Sequence, residues 1–198
     1  MPDAVPGPVS GPGSAAGSAR AIPDAVPGLA SGNWRVALAD ASQTRGFGRG
    51  LARFLRPGDL VVLNGGLGAG KTTLVQGIGQ GLEVRGEVTS PTFIIARVHP
   101  ALSQGPALIH VDAYRLEGLE QLDDLDLEAS LETSVTVVEW GKGLAERLSD
   151  DHLEIILERP RGACAGNARL AVMTASGQTW LDRWPSLTGA LSAAPEAT

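Results

Sequence analysis

Gly65-Gly66-Leu67-Gly68-Ala69-Gly70-Lys71-Thr72-Thr73 is the stretch that decides the fold. It fits the phosphate-binding pattern G-x-x-x-x-G-K-[ST]. Glycines let the backbone curl until successive N–H groups point inward, and the helix that follows adds its positive N-terminal end. A lysine in this place reaches β- and γ-phosphates, and the Thr72 hydroxyl can ligate Mg²⁺. The flanks agree with this: Leu60-Val61-Val62-Leu63 is a short apolar run that reads as a buried strand, and Thr73-Leu74-Val75-Gln76-Gly77-Ile78 opens a helix. At this chain's composition, roughly 190 start positions give about 0.004 chance matches to the pattern. The chain holds only two lysines, Lys71 and Lys142, among 16 basic residues. Lysine is kept where a compact point charge suits the site better than a planar fork. The nine residues Gly65 to Thr73 are therefore expected to hold the phosphates of a nucleotide.

Outward from the loop, strand and helix patterns alternate. Trp34 to Leu38 alternates like a half-buried strand, and Asp40 and Ser42 can cap a helix that carries Phe47, Leu51, Phe54 and Leu55 on one side. Val88 to Val98 reads as extended, broken at Ser90-Pro91. Further strands are expected at 107–112, 135–139, 152–157 and 170–173, with helical or irregular chain at 116–131 and a short helix at 144–148. Such an alternation implies an α/β fold, a phosphate-loop NTPase-like three-layer sandwich around a largely parallel sheet. Two of the strands end in acids, Asp112 and Glu139. In such sheets ligands gather at the carboxyl ends of the strands, where an acid can hold Mg²⁺ or orient an attacking water. Asp112 and Glu139 are the expected catalytic pair, and with Thr72 the expected metal ligands. Thr89-Ser90-Pro91-Thr92-Phe93 lies between the loop helix and the first of these strands, where a segment that senses the γ-phosphate would sit.

Composition narrows the rest. The chain has 198 residues, 43% of them hydrophobic but only 4% aromatic, so the core is expected to be Ala, Val, Leu and Ile. A net charge of −6 argues against a free-standing nucleic-acid binder. One cysteine, Cys164, excludes an intrachain disulfide, and no run approaches a membrane span, so a cytoplasmic protein is expected. Residues 1–32 contain six Pro and six Gly and almost no bulky apolar side chain, and Pro-Asp-Ala-Val-Pro-Gly occurs there twice, at 2–7 and 23–28. Such a segment cannot offset its ordering entropy, so a disordered tail is expected, followed by one domain over 33–185. Residues 186–198 read as a second flexible tail.

Four motifs in order carry a resemblance. They are the loop at 65–73, Ser-Pro-Thr-Phe at 90–93, His-x-Asp-x-Tyr-Arg at 110–115 and Glu-Trp at 139–140. Over about residues 35–160 the chain resembles the bacterial TsaE family, the ATPases of tRNA threonylcarbamoyladenosine (t6A) biosynthesis. The resemblance implies an ATPase with ATP and Mg²⁺ as ligands; hydrolysis by the isolated protein is expected to be slow, because no cis arginine finger is evident and a partner would complete the site. Two larger subunits would transfer a threonylcarbamoyl group to the adenosine beside the anticodon, with tRNA contacted only indirectly. It places Lys71 on phosphates, Thr72 on Mg²⁺, Asp112 and Glu139 at metal and water, Trp140 near the nucleotide, and Ser90 and Thr92 in a switch-like loop. The chain departs from the family pattern at Gly66, where an acid is usual, and at Ala96-Arg97-Val98-His99, where a Glu-Tyr pair often stands.

Other residues have plainer readings. His110 is expected to be a packed, hydrogen-bonded histidine, and Tyr114 a surface or partner contact. Seven acids without a base between Glu117 and Glu132 suggest a solvated face. The alternative from another class is a phosphate-loop kinase of a small metabolite, with Arg159-Pro160-Arg161 as its only lid-like segment. A GTPase is disfavoured, since no Asn-Lys-x-Asp occurs.

Overall fold

Strand β2 (Leu60–Gly65) is buried on both faces, and a sheet forms around it. A run of Leu and Val without polar alternation suits a strand covered on both sides. The computed structural model describes residues 32–91, 95–115, 132–143, 148–160 and 166–193. In chain order the strands are β1 (Gly32–Leu38), β2, β3 (Ala96–His99), β4 (Ala107–Asp112), β5 (Ser134–Glu139), β6 (His152–Glu158) and β7 (Arg169–Ser176). They form one sheet in the order β1-β7-β6-β2-β5-β4-β3. The four central strands β6, β2, β5 and β4 are mutually parallel. Antiparallel pairing is confined to the flanks, where β7 meets β6 and β1, and β3 meets β4. The expected α/β sheet is present, parallel in its core.

Alternate residues of β2 feed two clusters. Val61 and Leu63 face a core shared with helices α1 (Ala41–Ala52), α2 (Lys71–Gly81) and α3 (Gln178–Ala193). Leu60 and Val62 join Ile109, Val111, Ala113 and Val138 on the opposite face, against Ile95, Ala96 and Leu148. The expected helical stretch at 116–131 and all but Leu148 of the one at 144–148 lie outside the described residues, as does the N-terminal tail through residue 31. Among the described residues no helix is long and apolar enough to cross a membrane.

Asp40 caps α1 as expected. Its carboxylate accepts the Gln43 N–H at 2.9 Å, while the Gln43 side chain accepts the Ala39 N–H at 2.8 Å. This reciprocal arrangement fixes the helix start. Helix α2 has no side-chain cap; Gly70 precedes it at φ 103°. The two helices pack so closely that a Cβ on Gly48 would stand 2.5 Å from the Leu74 carbonyl oxygen.

The C-terminal tail expected from residue 186 is corrected: helix continues to Ala193 despite Pro185 within it. Trp180 and Leu187 are fully buried, with Trp184 and Leu191 packed beside them. These four residues recur at helical spacing, and their burial outweighs the interruption by proline.

Candidate functional site

The parallel strands bring their carboxyl ends to one edge. Register aligns Leu63 with Glu139 and Glu139 with Asp112, so both acids stand level with the start of the loop. The loop takes the shape its glycines allow. Gly65, Gly68 and Gly70 have φ of 139°, 68° and 103°, and a Cβ on Gly65 would run into the Leu157 carbonyl. Around Gly66 a Cβ would meet nothing within 4 Å. Leu67 at the tip is 89% exposed, whereas Ala69 is buried. Thr73, the last residue of the motif, faces a cleft of about 390 Å³.

Lys71 and Thr72 open α2 beneath this loop. Lys71 is only 5% exposed, with Nζ donating to the carbonyls of Gly65 at 2.9 Å and Gly66 at 3.2 Å. Nζ also sits 3.6 Å from the centroid of the Trp140 ring, a cation–π contact. Burial pushes the Lys71 ammonium below its ordinary value, while Glu139 and Asp112 pull it back up. The Trp140 backbone N–H donates to the Leu63 carbonyl at 2.8 Å and anchors the main chain beneath the ring. Its φ is 61°, a region that costs a bulky side chain free energy.

The Thr72 hydroxyl donates to Glu139 Oε1 at 2.8 Å, and His110 Nε2 lies 2.9 Å from the same oxygen. His110 is fully buried, and among the described residues its Nδ1 meets no partner. The expected packed, hydrogen-bonded histidine is therefore bonded to one of the two strand-end acids. Asp112 is engaged separately. Ser90 Oγ donates to its Oδ2 at 3.3 Å, and the Tyr114 N–H to its Oδ1 at 3.1 Å. Tyr114 leans on Trp140, ring centroids 5.2 Å apart. The structure thus brings Lys71, Thr72, Glu139 and Trp140 into contact and links Ser90 to Asp112; Thr92 lies outside the described residues.

One feature of the site escapes periodicity. The cleft beside the loop is lined by Asp40, Ser42, Thr44, Gly70, Thr73 and Arg169, among others. Because β7 runs against the central strands, its first residue, Arg169, reaches the edge where they end. No motif marks that arginine; only the sheet order places it there.

A family model described as threonylcarbamoyl adenosine biosynthesis protein TsaE matches residues 38–165. The tRNA threonylcarbamoyladenosine biosynthesis protein TsaE of Streptomyces coelicolor is 57% identical over 137 residues, covering 69% of this chain and 93% of that protein. Its namesake in Mycobacterium tuberculosis is 48% identical over 136 residues, covering 65% and 81%. The crystal structure of YdiB from Bacillus subtilis superposes with a TM-score of 0.62 at 29% identity, covering 82% of this chain and 95% of that one. By sequence and by fold, this chain belongs to the TsaE family of threonylcarbamoyl adenosine biosynthesis proteins.

Proposed function

We propose that the protein is the ATP-binding and ATP-hydrolysing subunit of a tRNA t6A-forming system. It would act in the cytoplasm with two larger subunits that transfer the threonylcarbamoyl group, and would meet tRNA only indirectly. The observation that carries this is the Thr72 hydroxyl on the Glu139 carboxylate at 2.8 Å, directly behind the phosphate loop. A threonine that donates its proton to an acid keeps its lone pairs for a cation, as a Mg²⁺-binding site next to phosphates requires. The donor set suits that ion. One hydroxyl and two carboxylates offer only oxygen, and Mg²⁺ bound through one or two carboxylates takes its remaining ligands from water and substrate phosphates. Bound there, the ion would neutralise charge developing on the phosphates.

The chain's own residues supply the rest. The loop amides and Lys71 hold the β- and γ-phosphates of ATP. Lys71 is already desolvated against two loop carbonyls, so an incoming phosphate meets a cation with little water to shed. Glu139 is the acid beside Thr72, and His110 fixes its orientation. Asp112, one strand over, couples the site to Ser90 of the switch-like loop. The nucleoside would extend into the cleft that Thr44 and Thr73 line beside the loop.

The test is genetic and chemical. A strain lacking its own ATPase subunit should regain t6A in its tRNA when supplied with this gene, and should not when supplied with Lys71→Ala. Failure of the wild-type gene, with the protein expressed and its partners supplied from the same source, would overturn the assignment. A small-metabolite kinase would fail in that way.

A further inference from the structure

We propose that Arg169 is a positioning residue for the phosphate loop, holding the Gly68 and Ala69 carbonyls outward so that the loop's turn stays closed and the Gly70 amide faces the phosphates. The inference rests on the phosphate-loop reading above and adds a residue beyond the 38–165 span that the family model matches. The Arg169 Nε donates to the Ala69 carbonyl at 2.8 Å and Nη2 to the Gly68 carbonyl at 3.3 Å. A third bond, from Nη1 to the Ala168 carbonyl at 2.8 Å, fixes the guanidinium against its own strand.

In a trans peptide unit the C=O and N–H point in opposite directions. Fixing the Gly68 and Ala69 carbonyls therefore fixes the N–H groups of Ala69 and Gly70. Of the two, the Ala69 N–H closes a turn onto the Gly66 carbonyl at 3.1 Å, which leaves the Gly70 N–H as the amide the fork aims at the phosphates. Gly68 and Gly70, with φ of 68° and 103°, would otherwise leave these peptide planes free to turn. A planar fork with donors at fixed spacing can hold two consecutive carbonyls while a third N–H ties it to its own strand, whereas an ammonium offers its three donors from a single point and cannot span all three sites.

Charge points the same way. The Arg159 guanidinium flanks the same segment, 3.6 Å from where a Cβ on Gly68 would stand. Among the described residues neither arginine has a carboxylate within ion-pair distance. Burial, and then the neighbouring Arg159, push the Arg169 pKa down from its usual value. Two cations at the rim of the loop, with no carboxylate paired to either among the described residues, favour an anion between them.

The experiment uses the full chain as wild type, Arg169→Ala, Arg169→Lys and Lys71→Ala. Each is titrated calorimetrically with ATP plus Mg²⁺ and with inorganic tripolyphosphate plus Mg²⁺, and melted without ligand. Wild type should bind both, and Lys71→Ala neither. Arg169→Ala should lose about tenfold or more in affinity, by the same factor for both ligands, as expected for lost charge-assisted bonds. Its melting midpoint should stay within a few degrees, and Arg169→Lys should recover only part of the affinity. Unchanged binding in Arg169→Ala overturns the proposal. So does a loss confined to ATP, which would make Arg169 a nucleoside contact. If Arg169→Ala does not fold, Arg169→Lys decides, and full affinity in that variant is fatal to a role for the fork. Should wild type bind neither ligand, the phosphate-loop reading itself fails, an outcome distinct from all of these.

Discussion

Glu139 Oε1 is shared by two donors, the Thr72 hydroxyl and buried His110, at 2.8 and 2.9 Å. That sharing separates the two acids, which nothing in the sequence could do. Asp112 instead accepts from Ser90 and from the backbone of Tyr114, so its carboxylate is tied to the segments on either side of β4. Replacing Glu139 by Gln keeps size and removes charge. On the proposed reading phosphate binding would rely on loop amides and Lys71, so ATP affinity should weaken modestly while single-turnover hydrolysis falls on the order of 10²-fold or more. Asp112→Asn should follow the same pattern more mildly, because that acid is one strand farther from Thr72. His110→Ala should behave like a weaker Glu139→Gln in turnover at nearly constant ATP affinity. It should also lower the melting temperature, since a buried carboxylate loses its partner. Unchanged turnover in His110→Ala would reduce that contact to packing.

At the scale of elements, the site depends on how tightly α1 clasps α2, because α2 carries the phosphate loop at its start. A Cβ on Gly77 would strike the Arg45 carbonyl, and one on Gly81 would stand 2.5 Å from the Ala52 Cβ. Alanine at 77 would gain about 1 kcal/mol in helix propensity. It would lose more, about 1–3 kcal/mol or beyond, because the obstacle is backbone that cannot rotate away. Gly77→Ala should therefore unfold at lower urea concentration and bind ATP less well. Gly66→Ala meets open space and should leave the urea midpoint unchanged. The strands and helices that support the loop were legible because they obey local rules: a Leu-Val run for β2, Asp40 as a cap, an acid at the end of β4 and of β5. The sheet order was not, because antiparallel pairing of β7 and β1 leaves no trace in periodicity, and with it went Arg169 and the cleft. The C-terminal helix was lost to its composition. Pro185, Ser186 and Gly189 suggest a tail, although Trp180, Trp184, Leu187 and Leu191 repeat every three or four residues.

At the scale of the whole molecule, the body and the N-terminal segment should be separable. Residues 1–31 carry the Pro/Gly-rich sequence, with few bulky apolar side chains to add to a core. Removing them should shift neither the melting temperature nor the ATP affinity; a large fall in either would mean that the segment packs on the body. Turnover is another matter. Lys71 lies on the Trp140 ring and on two loop carbonyls, and Trp140 itself holds an unfavourable φ of 61°. If the protein acts as proposed, a partner that moves Trp140 would relieve that strain and free the ammonium for the phosphates, and so speed hydrolysis. On the proposed function, single-turnover hydrolysis should be slow for the isolated protein and rise when the proposed partner subunits are added, with Glu139→Gln insensitive to them. Trp140 is one of four tryptophans, so its movement should be followed as the change in fluorescence that a Trp140→Phe variant lacks. Equal rates for wild type, Glu139→Gln and Asp112→Asn with the partners present would leave a nucleotide-binding scaffold without catalysis, and an unmoved Trp140 in an accelerated complex would place the coupling elsewhere.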